Sequence, residues 1–258
     1  MNTLIFLFFM PQHRRQQIIA LLHERGTLST AELAQHFTLT PQTICRDLNV
    51  LCQQGQTKRT HGGISLITSM ENVHYAGRMG TNLAVKNKIA KVAAPHILAE
   101  QTVFLGYGST VTQLAKFIDK DMPLKVITNN LDAALALDGT RCDVWIAGGQ
   151  LKHKHRSTAG MSSAYFMNDF RADIGFCGVG GIDSYGNLME FNYDEAELSK
   201  IMIRNAKKSY ILADKTKIKR NASVCFSTLA SVDYLVTDGE DERIIQLCKQ
   251  QETTLLRV

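Results

Sequence analysis

No Cys-x-x-Cys pair and no dense cysteine framework occur in these 258 residues. The six cysteines, at 45, 52, 142, 177, 225 and 248, therefore read as the reduced thiols of a cytoplasmic protein. Cys45 and Cys52 share one face of an expected helix but lie two turns, about 10 Å, apart, too far for an unstrained disulfide. A set of metal ligands is missing too. His153-Lys154-His155 places two histidines in a polar loop with nothing to complete a site, and reads as solvated surface. No metal and no cofactor is expected. Long apolar runs are absent: Leu4 to Met10 falls far short of the ~20 residues a membrane helix needs, and no basic residue precedes it as a secretory signal requires. Membrane insertion and export are both excluded on this reading. Because Met10 is followed directly by Pro11-Gln12-His13-Arg14-Arg15 and an amphipathic segment, translation is expected to begin at Met10. There is no repeat at a solenoid period and no low-complexity tract.

What is present is ordinary globular composition, 45% hydrophobic and 21% charged, with room for one large domain and a small one. A formal net charge of +5 is compatible with a polyanionic partner but says nothing about fold. From Arg15 to Arg25, Ile18, Ile19, Leu21 and Leu22 recur at helical spacing and Gly26 supplies a left-handed stop. Ser29-Thr30-Ala31-Glu32 is a capping box opening a short helix to Phe37. Thr40-Pro41 begins a third helix, the threonine capping free amides and the proline sitting where its missing N–H is harmless. There Ile44, Leu48, Leu51 and Cys52 form one stripe, and Gln42, Arg46, Asn49 and Gln53 the opposite one. Gln56-Thr57-Lys58-Arg59-Thr60-His61-Gly62-Gly63 then suits a small β-hairpin wing.

Beyond a stretch without sustained period, strand-like and helix-like segments alternate to the end. Thr102–Leu105, Lys125–Thr128, Val144–Ala147, Ile174–Cys177, Tyr210–Ala213 and Tyr234–Thr237 read as strands; 111–118, 131–137 and 194–207 read as helices. Such alternation implies an α/β domain with a mostly parallel sheet covered on both faces.

Two sets of residues carry candidate chemistry. Gln42, Thr43, Arg46 and Asn49 have the side chains that contact bases and phosphates in a major groove, and residues 1–70 hold six Lys/Arg against three Asp/Glu. In the second set, Gly106-Tyr107-Gly108-Ser109-Thr110 joins a strand to a helix, which is either a phosphate cradle or only a tight turn. It lacks the lysine of a Walker loop, which argues against nucleotide triphosphate hydrolysis. Thr128-Asn129-Asn130, Ala147-Gly148-Gly149 and Gly178 to Asp183 also follow strands, whose ends gather at one sheet edge. Their Asn and Asp residues can bind sugar hydroxyls or merely shape turns. Lys200 is either a ligand group near that edge or one half of a helix-surface ion pair.

The spans Leu28 to Ala34, Thr40-Pro41-Gln42-Thr43-Ile44-Cys45-Arg46-Asp47-Leu48 and Arg59-Thr60-His61-Gly62-Gly63 resemble the signature of the DeoR family of sugar-metabolism repressors, and the C-terminal part is similar to that family's sensor domain. The resemblance implies a winged helix-turn-helix over 11–66, a linker over 67–83 and a phosphosugar-sensing α/β domain over 84–258, similar in fold to sugar-phosphate isomerases. It implies DNA contacts from Ser29, Thr30, Thr40, Gln42, Thr43, Arg46, Asn49, Lys58, Arg59 and His61. It further implies effector contacts from Gly108, Ser109, Thr110, Asn129, Gly149, Asp183, Glu195 and Lys200, with Asp214 and Lys217 matching an Asp-x-x-Lys motif. The expected partners are an operator duplex, a phosphorylated sugar or polyol, and further copies of the chain in a dimer or tetramer. Met189 to Tyr193 and Arg220-Asn221-Ala222 are most similar to the family's glycerol-3-phosphate regulon repressors, which implies a glycerol-phosphate-like effector. Three departures stand out: Cys45 replaces the first of two adjacent arginines, Gln56 and Thr57 are polar where the wing strand is usually apolar, and Lys217-Ile218-Lys219 replaces Lys-Phe-Gly. The competing reading is a sugar-phosphate isomerase with an accessory DNA-binding domain, in which Asp183, Glu195 or Lys200 would serve as base.

Overall fold

The structure is a computed structural model that describes residues 11–53, 57–66 and 82–258, apart from the side chains of Gln12, His23, Glu24, Gln53, Lys58 and Leu66. The expected start at Met10, Gln56 of the wing and all but the last two residues of the linker lie outside the described residues. The chain divides into two units, Met1–Val73 and His74–Val258.

In the first unit, α1 (Pro11–Arg25) ends at Gly26, whose φ of +75° is the left-handed stop its sequence position calls for. β1 (Thr27–Ser29) leads into α2 (Thr30–Phe37), where the Ser29 hydroxyl accepts from the Glu32 amide and the Glu32 carboxylate accepts from the Ser29 amide. α3 (Pro41–Gln53) follows. β2 (Thr57–Thr60) and β3 (Gly63–Leu66) form the wing, and β1 pairs antiparallel with β3. Gly63 is required there, because a Cβ would stand 2.2 Å from the Leu28 carbonyl oxygen. Ile18, Leu22, Leu33, Ile44, Leu48, Leu51 and Ile64 close a common core. Each contributes roughly 1.5–3 kcal/mol by leaving water.

The second unit opens with α4 (Leu83–Ala93) and is built on a parallel sheet. Its strands are β4 (Thr102–Leu105), β5 (Lys125–Thr128), β6 (Asp143–Ile146), β9 (Ala172–Gly178), β12 (Ala206–Leu212), β14 (Tyr234–Thr237) and β15 (Thr254–Arg257), in spatial order β15-β14-β12-β9-β4-β5-β6. α4, α5 (Ser109–Lys116) and α6 (Leu131–Ala136) share one apolar cluster with the sheet, and α7 (Met161–Asn168) and α8 (Tyr193–Asn205) share another. Two smaller pieces decorate this core: a hairpin of β7 (Gln150–Lys152) and β8 (Ser157–Ala159), and an antiparallel sheet of β10 (Gly181–Ile182), β11 (Asn187–Glu190) and β13 (Val224–Thr228). α9 (Glu242–Gln250) precedes the last strand.

The six strand expectations agree with β4, β5, β6, β9, β12 and β14 to within a few residues. The hairpin, the antiparallel sheet, α4, α7, α9 and β15 carry no equally clear local pattern and emerge only in the fold. β4 starts the chain's run toward β6, and β9 returns to its other side, so the strand order reverses between β4 and β9. In open parallel sheets, ligands collect in the crevice outside the strand ends at such a reversal.

Candidate functional site

On α3, Gln42, Arg46 and Asn49 are exposed while Ile44 and Leu48 are fully buried, as the two-stripe pattern requires. The Thr40 hydroxyl accepts from the Thr43 amide at 3.3 Å and so caps the helix start. Thr30 is half-buried at the first position of α2, Ser29 is engaged in its capping box, and His61 is exposed at the wing turn. The Lys58 side chain lies outside the described ones. Arg59 reaches from the wing to α3, its Nη2 donating to Asn49 Oδ1 at 2.9 Å and to the Cys45 carbonyl at 3.5 Å. Two expected DNA contacts are thus joined to each other. Thr57, polar at the start of the wing, is buried with its hydroxyl 3.6 Å from Cys52 Sγ.

One determinant of this face is not a DNA-facing residue at all. Asp47 lies on the buried side of α3, paired with Arg14 at 2.6 Å and with Arg15 at 3.6 Å, both from α1. The signal was present, since Asp47 falls three residues after Ile44 on the apolar stripe.

In the second unit, the loop after β4 lies at the strand reversal, beside the end of β9: the Gly106 amide donates to the Phe176 carbonyl at 2.9 Å. Gly108 adopts φ +123°, a conformation that favours glycine, and leads into α5 with Ser109 and Thr110 buried at its first turn. Asn130, fully buried, organises this loop. Its Nδ2 donates to the carbonyls of Gly106 (3.1 Å) and Gly108 (3.3 Å), and its Oδ1 caps α6 by accepting from the Ala133 amide. Asn129 is equally buried, with Nδ2 donating to the Thr158 carbonyl at 2.9 Å. Its Oδ1 has no partner among the described residues. Gly149 packs tightly, for a Cβ would stand 2.3 Å from Ser163 Oγ.

The other sequence-named residues separate into roles. Asp183 is a turn former: it accepts from the amides of Tyr185 and Asn187 and from Asn187 Nδ2, all within the β10–β11 connection. Burial alone would raise its pKa, but these bonds outweigh burial and hold the carboxyl below its ordinary value. Asp214 caps the short turn Lys215–Lys217 through the Thr216 amide and hydroxyl, with Lys217 half-buried on that turn. Lys219, where the family's glycine would stand, takes φ +55° and pairs with Asp241 at 2.6 Å, so the turn survives without glycine. Glu195 is buried in the first turn of α8, with His155 Nδ1 3.6 Å from its Oε1. Lys200 is exposed on α8, about 140° around the helix from Glu195.

The solvated reading of 153–155 fails at its last residue. His153 and Lys154 are exposed, but the His155 side chain is largely covered and meets Tyr107 edge-on with ring centroids 5.8 Å apart. The reason is tertiary: Lys152 bonds Asp194 at 3.0 Å and the Arg156 carbonyl accepts from the Leu131 amide, so the β7–β8 turn is drawn over the starts of α6 and α8. Lys86 is a further residue that pattern reading passed over. It is buried on α4 along the apolar stripe with Ile89, Ala90 and Ala93, and α4 packs on α5. All six cysteines are free. Among the described residues no cluster of three or more His, Cys, Asp or Glu could hold a metal ion, and no helix is long and apolar enough to cross a membrane.

A winged helix-turn-helix joined to a larger parallel α/β domain defines a two-domain DNA-binding regulator. Residues 14–70 match the DeoR-like helix-turn-helix domain and residues 81–239 the DeoR C terminal sensor domain. The chain belongs to the DeoR family. It is 36% identical over 229 residues to the glycerol-3-phosphate regulon repressor of Escherichia coli K12, covering 88% of this chain and 90% of that protein. It is 34% identical to the repressor of the same name from Haemophilus influenzae, over 94% and 95% of the two chains. The HTH-type transcriptional repressor CsqR of Escherichia coli K12 is 35% identical over 87% of each chain. Among solved structures, ribose 5-phosphate isomerase A of Methanocaldococcus jannaschii is similar over 54% of this chain and 55% of its own, with a TM-score of 0.41 and 17% identity. That likeness is too partial to bear on chemistry. Membership of a family whose named relatives are repressors makes this chain a transcription regulator and sets the isomerase reading aside.

Proposed function

We propose that this regulator represses sugar or polyol catabolic genes from the cytoplasm and that a phosphorylated effector, of the glycerol-phosphate class, releases it from its operator. The observation that carries the effector reading is the Gly106–Thr110 loop at the strand reversal, shaped by Asn130 and opening α5. Backbone amides at a helix start and the buried hydroxyls of Ser109 and Thr110 suit a phosphate. Lys86, buried on the helix packed against α5, is the cation this reading assigns to the phosphate. Asn129, His155 and Glu195 are placed to meet polyol hydroxyls; Gly149, Asp183, Asp214 and Lys217 shape the surrounding turns, and Lys200 has no role at the loop. A glycerol-phosphate ligand is supported by what the relatives in Escherichia coli and Haemophilus influenzae are called.

The decisive experiment titrates glycerol-3-phosphate and a panel of sugar phosphates into a complex of the full-length protein with operator DNA, followed by fluorescence anisotropy. A tenfold loss of affinity is expected with one member of the panel, a coupling of about 1.4 kcal/mol. Indifference to every phosphate would remove the sensor role.

On the DNA side, Gln42, Thr43, Arg46 and Asn49 face the major groove, Thr30 and Thr40 lie beside the backbone, and Arg59 and His61 act from the wing. Cys45 is half-exposed beside this face. Cys45→Arg is expected to tighten DNA binding and to steepen the slope of log K against log salt by about 0.9, one added phosphate contact. An unchanged slope means that Cys45 does not face the phosphates.

A single helix-turn-helix reads one half-site, so the active form is a dimer or tetramer. Trp145 and Ile146 are half-exposed on the edge strand β6, and Met161 and Tyr165, one turn apart on α7, are exposed as well. This apolar edge is where another copy is expected to pair. A monomeric mass by sedimentation of DNA-competent protein would count against it.

A further inference from the structure

We propose that the hydroxyl of Ser157, on the β7–β8 hairpin, bonds the effector directly, which makes the hairpin part of the site that takes a phosphorylated polyol. This rests on the reading of the Gly106–Thr110 loop as the element that holds the phosphate. Ser157 is placed by backbone pairing. It faces Asn130 in an isolated antiparallel bridge, flanked by bonds from the Leu131 amide to the Arg156 carbonyl at 3.0 Å and from the Thr158 amide to the Asn129 carbonyl at 2.9 Å. Those flanking bonds make it a pair of the non-hydrogen-bonded kind, whose Cα atoms stand about 4.5 Å apart with the side chains close together on one side of the ribbon. On that side the Asn130 carboxamide donates to the Gly106 and Gly108 carbonyls. The Ser157 hydroxyl therefore lies next to the loop.

What this hydroxyl lacks is a partner. Ser157 has no exposure to solvent, and its Oγ makes no hydrogen bond among the described residues. The adjacent Thr158 is the contrast, since its hydroxyl donates to the Ala147 carbonyl. A buried hydroxyl without a partner costs free energy, and buried polar groups nearly always find one. Asn129 Oδ1, one residue before Asn130, is in the same state. Two such atoms on facing segments point to a ligand that carries several oxygens. A carboxamide oxygen only accepts, so Asn129 calls for a ligand hydroxyl, whereas Ser157 donates to any ligand oxygen. The turn between β7 and β8 covers them. Lys152 pairs with Asp194 at 3.0 Å, Arg156 with Asp132 at 2.8 Å, and His155 Nδ1 stands 3.6 Å from Glu195 Oε1. An effector reaches Ser157 by lifting this turn, whose ties to Asp194 and Asp132 are partly exposed ion pairs and hold it weakly.

The test uses the full-length protein with glycerol-3-phosphate and the same panel of sugar phosphates, titrated by calorimetry in the absence of DNA. Ser157→Ala removes the hydroxyl alone. It is expected to raise the Kd of the phosphate that wild type binds by about tenfold, the loss of one hydrogen bond to a ligand. Without ligand, the same variant should melt no lower than wild type by tryptophan fluorescence, because no bond of the ligand-free fold is broken. Thr158→Val, of the same shape, should melt lower, because it does break one. A hydroxyl that serves the fold or a trapped water gives a different pattern. An unchanged Kd in Ser157→Ala, or ligand-free melting lowered as far as in Thr158→Val, overturns the inference. Wild type that binds none of the phosphates refutes the effector reading itself, and the inference falls with it.

Discussion

Asp47→Ala is expected to destabilise the N-terminal unit by about 3–5 kcal/mol and to abolish operator binding. The pair it breaks is enclosed, with the Arg14 and Asp47 side chains only 6% and 7% exposed and 2.6 Å apart. Removing the carboxylate leaves the guanidinium of Arg14 out of water and without its counter-charge, and an arginine cannot shed its proton. Arg15 recovers more easily, since its side chain is 24% exposed. The consequence reaches function because this pair ties α1 to the helix that carries Gln42, Arg46 and Asn49. The protein's single tryptophan, Trp145 on β6, reports only the sensor unit. In urea, Asp47→Ala should therefore lose helical circular dichroism at low denaturant while tryptophan fluorescence keeps its wild-type midpoint. Replacing both partners, as Arg14→Met with Asp47→Leu, should restore most of the loss, because an apolar pair of similar volume leaves no stranded charge. A single variant within 1 kcal/mol of wild type, about the value of an exposed pair, would show that water compensates the charge.

The second large effect is expected at Asn130. Its carboxamide bonds two loop carbonyls and caps α6 from a position with no exposure to solvent. Asn130→Ala removes a helix cap and the side-chain donor to the buried Gly106 carbonyl, together about 2–4 kcal/mol, while the Gly108 carbonyl keeps the Thr112 amide and hydroxyl as donors. Here the tryptophan midpoint should fall and the early circular dichroism signal of the N-terminal unit should not. The variant should still bind operator in the absence of effector, and its effector midpoint should rise at least tenfold, because the Gly106–Gly108 carbonyls no longer fix the amides that face a phosphate. An unchanged effector midpoint in a destabilised protein would mean that Asn130 supports the fold alone and that the phosphate is held elsewhere.

Both cases show what kind of feature could be read along the chain. The capping box at Ser29 and Glu32, the cap at Thr40, the left-handed Gly26 and the two stripes of α3 are set by residues within four positions of one another. Hydrogen bonds to free helix amides, the 3.6-residue repeat and steric limits on φ act at that range. The same holds for the strands β4, β5, β9 and β14, whose apolar runs announce themselves because a parallel sheet is buried on both faces. Family resemblance pointed to the loops of the sensor unit as a group, but it could not say which of their residues shape turns. Asp183 accepts from neighbouring N–H groups through both carboxylate oxygens, Asp214 holds Thr216 through Oδ1, and Lys200 is exposed on α8.

The chain's sequence by itself determined that an N-terminal reading helix exposes Gln42, Arg46 and Asn49 and that an α/β unit with glycine-turn strand ends follows it. Tertiary structure alone decided that Arg14 neutralises Asp47, that Arg59 donates to the oxygen of Asn49, that Asn130 governs a loop more than twenty residues upstream, and that His155 leaves the surface to meet Glu195. The reason is physical: a charge or amide can be satisfied by any complementary group brought within about 3 Å. Which group arrives there depends on how helices and strands reverse and pack, and no local periodicity records that.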